Sequence, residues 1–290
     1  MNAPPPHAAS RRRRPLLLIF DSGVGGLSLL PALQAVLPDA DLVFASDNAA
    51  YPYGTRDADS VVARTVNVVE TLVAQWQPSL VIIACNTAST VALPALRTSL
   101  GCPVVGVVPA IKPAAAATHT GRIGLLATPA TVARPYTAEL IATHAAHCEV
   151  VMVGSSTLVD LAEHCLRGRP VPPAAVHAAL APLREHPAAA RIDAVILGCT
   201  HFPLIRDELI AAFPGPRLWL DSAEAVARRA SALIGARPQT DAASGNRTAI
   251  FTQAGADVTA LESALAVRGF TNATVFDIPL ARRDSNPVTG

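Results

Sequence analysis

Along the chain, short runs of apolar residues alternate with longer stretches whose apolar positions recur every three or four residues. The short runs at 16–20, 42–45, 80–84, 104–108, 122–127, 150–153, 194–198, 217–220 and 248–251 predict strands. Most are apolar throughout rather than alternating, as strands are when helices cover both faces of their sheet. The stretches at 27–36, 60–75, 88–100, 131–144, 157–166, 174–185, 204–212, 223–234 and 257–267 predict helices. Strands and helices in strict alternation predict an α/β fold with mainly parallel sheets.

A weak internal repeat lies over this pattern. "LLLIFDSGVGG" opens one half and "RIGLLATPATV" opens the other. A strand ending in cysteine follows each, Cys85 lying 64 residues after Asp21 and Cys199 lying 71 residues after Thr128. The repeat predicts two similar three-layer α/β domains related by a pseudo-twofold, with the active site in the cleft between them. Ligands of open α/β sheets bind outside the carboxyl ends of the strands, so both cysteines would border one cleft. The expected division is a disordered tail at 1–14, a first domain from 15–106 and 221–290, and a second from 107–220.

Composition narrows the class. With 290 residues, 51% hydrophobic and a net charge of +1, the chain can bury a large core, and its charge demands neither nucleic acid nor an anionic membrane. "RRRRPLLLIF" resembles the start of an export signal, but its apolar run ends at Asp21, short of the roughly 7–15 residues such a signal needs. No later run approaches the ~20 apolar residues of a membrane helix. The expectation is a soluble, cytoplasmic protein. The five cysteines show no CxxC spacing, and an odd number without a signal peptide points to free thiols in a reducing compartment. Cys199-Thr200-His201 places two metal-type ligands too close together to make a zinc site, so no metal is expected.

Candidate chemistry sits at strand ends. "DSGVGG" (21–26) joins a strand to a helix and reads equally as an anion-cradling loop or a tight turn with polar caps. "DNAAYPYGTR" (47–56) alone reads as an ordinary surface loop, although Tyr53 and Thr55 could donate hydrogen bonds. Cys102, Cys148 and Cys165 suit the role of small packing residues. Cys85 and Cys199 each stand at the last position of a strand and the threshold of a helix, where the helix N-terminus favours thiolate. His201 follows Cys199 closely, and Asp21 lies at the adjacent strand end from Cys85. A thiol hydrolase would need one such cysteine, and a redox pair would not call for two sets of polar neighbours. Racemisation at a carbon acid needs a proton handler on each face, which a matched pair supplies. Ser22, Asn86, Thr87 and Thr200 could then bind carboxylates and stabilise the developing charge.

"FDSGVGGLS", "YPYGTR", "ACNTAST", "PVVGVVPAIKPA", "GLLAT", "LGCTHFPL" and "DSAEAVARR" occur here in the order typical of one family. Over about residues 16–270 the chain resembles the glutamate racemases of the cofactor-independent aspartate/glutamate racemase superfamily. "GCTHFPL" favours the glutamate branch, since aspartate racemases usually carry Glu where His201 stands.

The resemblance implies interconversion of L- and D-glutamate without pyridoxal phosphate or metal, supplying D-glutamate for peptidoglycan. It implies that Cys199 takes the α-proton of L-glutamate and Cys85 that of D-glutamate, with His201 assisting Cys199 and Asp21 assisting Cys85. Asp21, Ser22, Pro52, Tyr53, Gly54, Asn86, Thr87, Thr128, Thr131, Thr200 and His201 match substrate-binding positions, and Asp47 matches an acidic residue near the site. Many members carry a glutamate after the strand equivalent to "VVMVG". Here Ser155-Ser156-Thr157 follows, with Asp160 and Glu163 farther on, so His201 is expected to act without an assigned acid. A homodimer and activation by a UDP-MurNAc-alanine precursor are further implications. The alternatives are a racemase for aspartate or another acidic amino acid, and a racemase-like binding protein without catalysis.

Overall fold

The computed structural model describes residues 14–235 and 245–278. Among these residues ten strands form two all-parallel sheets. β1 (Leu16–Asp21), β2 (Asp41–Ser46), β3 (Leu80–Ile83), β4 (Val104–Gly106), β9 (Arg247–Phe251) and β10 (Asn272–Val275) make one sheet, in the order β10-β9-β2-β1-β3-β4. β5 (Arg122–Ala127), β6 (Glu149–Gly154), β7 (Ala194–Leu197) and β8 (Leu218–Leu220) make the other, in the order β6-β5-β7-β8. The segment β2-β1-β3-β4 and the whole of β6-β5-β7-β8 therefore share one topology. In each, the order reverses beside the first strand, which is where an open sheet leaves a crevice for ligand.

Successive strand residues point to opposite faces, and both faces are buried. Leu17, Ile19, Phe44 and Ile82 pack with helices Leu30–Val36 and Ala223–Ile234 on one side of the first sheet. Leu18, Phe20, Val43 and Ile83 pack with helices Ala58–Trp76 and Asn86–Ser99 on the other. The second sheet is sandwiched in the same way, with Val195 and Leu197 on one face and Ile123 and Ile196 on the other. Each half is thus three layers deep.

Departures from the sequence expectation have local causes. The helix expected over 131–144 is two, because Pro135 opens the second and forces Arg134 into an extended conformation. Pro182 likewise opens a short second helix within 174–185. Helix Ile111–Ala117 was not anticipated, and neither was β10, whose four residues are all exposed. The tail expected at 1–14 lies, Arg14 apart, outside the described residues, as do the stretches 236–244 and 279–290 of the expected first domain. No helix among the described residues is long and apolar enough to cross a membrane.

Candidate active site

Where β1, β3, β5 and β7 end, a cavity of about 140 Å³ opens between the two halves. That is smaller than the ~300–1,000 Å³ typical for drug-sized ligands and suits a small metabolite. Ser22, Cys85, Asn86 and Thr87 line it from the first half, and Thr128, Cys199, Thr200 and His201 from the second. The parallel register explains the match. Phe20 pairs with Ile83 and Leu126 with Leu197, so each cysteine stands two residues beyond an equivalent strand pair. By that register Ser22, rather than Asp21, is the counterpart of Thr128.

On the first side, Cys85 is the cap residue of helix Asn86–Ser99, and no side chain caps that helix. Its first amides therefore face the cavity with the positive end of the helix dipole behind them. The Cys85 sulfur lies 3.6 Å from Ser22 Oγ. Burial pushes its thiol up to about 12, the Asp21 charge adds to this, and contacts from the Ala88 amide and Ser22 partly offset it. Asp21 is fully buried, with Oδ2 accepting from Gly26 N–H at 2.5 Å and Oδ1 from Ser22 N–H at 2.6 Å. Burial raises its pKa, and the nearby His201 charge opposes that rise. The Asn86 side-chain oxygen is buried and has no partner among the described residues.

On the second side, Cys199 Sγ lies 3.6 Å from His201 Nδ1, and His201 Nε2 lies 2.7 Å from Glu163 Oε1. Burial works against a charged His201, but its contacts with Cys199 and Glu163 win and hold its pKa well above the ordinary value. Burial would raise Glu163 too, yet His201 and Arg167 bring it down to about 2. The side is therefore a buried imidazolium–carboxylate pair placed behind the Cys199 sulfur. Sequence reasoning left His201 without an acid, and the structure corrects this. Ser155 stands where the acid was looked for and caps helix Ser156–Leu166 by accepting from Leu158 N–H. The acid comes two turns later, on the helix face that also carries Ser156, Val159 and Asp160 into the cavity.

"DSGVGG" is a tight turn whose amides hold carboxylates of the protein itself, Ser22 and Gly26 N–H donating to Asp21. Val24 N–H donates to Glu163 Oε1 at 2.8 Å, across the seam between the halves. A Cβ on Gly23 would stand 2.2 Å from Glu163 Oε1, and one on Gly25 would stand 2.5 Å from His201 Nδ1. The glycines leave room for the relay of the opposite half.

Pro52, Tyr53 and Gly54 line the cavity with Tyr51 and Thr55, so the loop 47–56 is part of the wall. The Tyr53 hydroxyl does not face the cavity's contents but donates to Asp47 at 2.7 Å. Asp47 is fully buried, accepts from Arg64 and Thr252, and anchors this loop from behind. Asp21 and Thr131 are not among the lining residues. Thr131 lies behind Thr128, hydroxyl to hydroxyl at 2.9 Å, and Thr128 in turn meets Thr87 at 3.3 Å across the cleft. Tyr51, Ser156, Val159 and Asp160 were not foreseen as lining residues.

A duplicated α/β fold that offers one buried thiol from each half to a metabolite-sized cavity defines an enzyme of proton transfer at carbon. The chain belongs to the Asp/Glu/Hydantoin racemase family, whose model matches residues 28–230. It is 49% identical over 233 residues to a glutamate racemase of Salmonella typhimurium, covering 80% of this chain and 82% of that one. It is 50% identical over 224 residues to one of Pectobacterium carotovorum, covering 76% and 77%. Its structure matches that of Escherichia coli glutamate racemase in complex with L-glutamate and the activator UDP-MurNAc-ala, with a TM-score of 0.85 and 42% identity over 92% of this chain and all of that one. A glutamate racemase from Bacillus anthracis matches with a TM-score of 0.74 and 27% identity, over 92% and 98%.

Proposed function

We propose that this chain interconverts L- and D-glutamate by a two-thiol mechanism, providing D-glutamate for peptidoglycan precursors. The observation that carries the reading is the placement of Cys85 and Cys199 at equivalent ends of a repeated sheet order, on one cavity. Cys199, as thiolate beside the His201 imidazolium, takes the α-proton of L-glutamate. The Cys85 thiol, held neutral by burial, gives a proton to the opposite face. One C–H bond breaks and another forms, leaving Cys199 protonated and Cys85 as thiolate; a proton returning through solvent resets the pair. D-glutamate runs the same steps with the roles exchanged.

The substrate's carboxylates meet hydroxyls and helix-terminal amides, since no arginine or lysine among the described residues lines the cavity. These donors stabilise the charge that develops as the α-carbon loses its proton. Ser22, Asn86, Thr87, Thr128 and Thr200 bind directly, with Pro52, Tyr53 and Gly54 shaping the wall. Asp21 and Thr131 act from behind, through Ser22 and Thr128.

The test is conversion of L-glutamate in deuterated water. D-glutamate should appear carrying one solvent deuterium at the α-carbon, and Cys85→Ala and Cys199→Ala should each abolish racemisation. Full turnover by either variant would overturn the paired-thiol reading. Faster turnover of L-aspartate than of L-glutamate would move the substrate to the shorter acid.

We further propose that the chain works in the cytoplasm as a homodimer and responds to a UDP-MurNAc-alanine precursor. Five free cysteines suit a reducing compartment. A separate cavity of about 580 Å³, with Lys112, Arg206, Arg228 and Arg229 on its wall, offers the size and charge an anionic nucleotide needs. Unchanged kinetics with the precursor would remove the activator, and a monomeric mass in light scattering would remove the dimer.

A further inference from the structure

The carboxylate that holds His201 is itself held from both halves. Glu163 Oε1 takes the Val24 amide of the first half as well as His201. Glu163 Oε2 pairs with Arg167 Nη1, one helical turn onward, and the same nitrogen donates to the Glu163 main-chain carbonyl at 2.8 Å. Arg167 Nε turns the other way and donates to the main-chain carbonyl of Asp257 at 3.2 Å, with the Asp257 carboxylate 3.8 Å off. Asp257 belongs to the short helix Ala256–Thr259 that follows β9 of the first sheet. A single guanidinium therefore joins the acid of the Cys199 relay to the opposite half.

This contact has physical consequences. A carboxylate with one oxygen bonded can swing about its last torsion; with both oxygens taken by fixed donors its plane is set. The planar fork of arginine can do this while its Nε bonds elsewhere, which a lysine cannot. Arg167 also forms the wall of a polar cavity of about 430 Å³ that runs behind Tyr51, Asp160 and Glu163.

We propose that Arg167 is a positioning residue, which clamps Glu163 on His201 and couples the Cys199 side of the reaction to contact between the halves. This rests on the racemase reading above. Asp160, His164, Arg169 and Asp257 line the polar cavity beside Glu163 and Arg167, and the Tyr51 hydroxyl donates to Asp160. Cys199 contacts His201, the Asp21 carboxyl interacts with it through charge, Arg167 and His201 face Glu163, and the Tyr51 ring packs 6.4 Å from the imidazole.

The experiment compares the full-length chain with Arg167→Gln and Arg167→Lys, measuring pH profiles in both directions and isotope effects with each α-deuterated enantiomer. Arg167→Gln should lower kcat roughly tenfold to a hundredfold, the scale of a misplaced catalytic group. It should move the acid limb to higher pH, because Glu163 loses a cation that favours its ionised form. The isotope effect on kcat/KM should rise with α-deuterated L-glutamate and fall with the D-isomer, since proton abstraction by Cys199 becomes the slower step. Arg167→Lys should restore the acid limb and recover only part of the rate. An acid limb and isotope effects unmoved in Arg167→Gln would overturn the proposal even if kcat fell, because a structural role predicts that result. Absence of racemisation by the unaltered chain would instead overturn the racemase reading itself.

Discussion

Gly25 packs so closely on His201 that a Cβ built there would stand 2.5 Å from Nδ1 and 2.7 Å from Thr200 Oγ1. The loop of one half thus fits around the catalytic side chains of the other, and the fit has no spare volume. Gly25→Ala should displace the imidazole or the loop. Expected is a loss of activity of roughly a hundredfold with a stability cost of about 1–3 kcal/mol from overpacking. Gly101→Ala, with nothing within 4 Å of the new methyl, is the control and should leave kcat unchanged. Equal kcat for both variants would show that the seam gives way freely.

The Glu163–His201 pair should be visible in stability as well as rate. The carboxyl is held at about 2, below its ordinary 4.5, so its contribution is present above pH 4.5 and is lost as pH falls through 2. Glu163→Gln lacks that contribution at every pH. Urea unfolding should therefore find the variant less stable by a few kcal/mol at pH 7, as when one partner of a buried pair is removed. The gap should close progressively below pH 4.5. A gap of the same size at pH 7 and pH 3 would mean that lost packing, not the ion pair, is being measured.

Much of this was legible in the pattern of apolar runs. Two apolar runs leading into cysteine, each one repeat unit after a similar opening motif, pointed to Cys85 and Cys199 on one cleft, and the strands stop two residues short of each. What the sequence hid has physical causes. β10 carries no apolar run because its four residues are exposed, and only backbone pairing with β9 makes them a strand. Glu163 sits on the same helix face as Ser156, Val159 and Asp160, but periodicity alone does not say which face meets the other half. The purpose of the glycines in "DSGVGG" depended wholly on what docks against them, and that docking is a tertiary fact. Asp47 was near the site in sequence terms, yet its bonds run away from the cavity.

Asp47 leads to a separate prediction. Its carboxylate is buried and takes two hydrogen bonds from Arg64, one from the Tyr53 hydroxyl and one from Thr252. Arg64→Met would leave a buried charge underpartnered, a change that costs about 3–5 kcal/mol. Tyr53→Phe removes only a hydroxyl from the same oxygen and should cost about 1 kcal/mol. Thermal unfolding of the two variants checks the order. Comparable losses would show that the guanidinium contributes no more than the phenol.

Asn86 should show the opposite signature, weaker binding without weaker folding. Asn86 is the first residue of helix Asn86–Ser99 and lines the cavity, and its buried side-chain oxygen has no hydrogen-bond partner among the described residues. In the free chain that oxygen carries a desolvation cost, which a substrate ammonium or its hydration would relieve. Asn86→Ala removes the cost together with the ligand contact. Its melting temperature should stay level or rise, while KM for glutamate climbs about tenfold or more, the equivalent of a hydrogen bond of roughly 1.5–3 kcal/mol to a charged group. A fall in melting temperature with KM unmoved would make Asn86 part of the scaffold and leave the ammonium to be held by other groups on the wall.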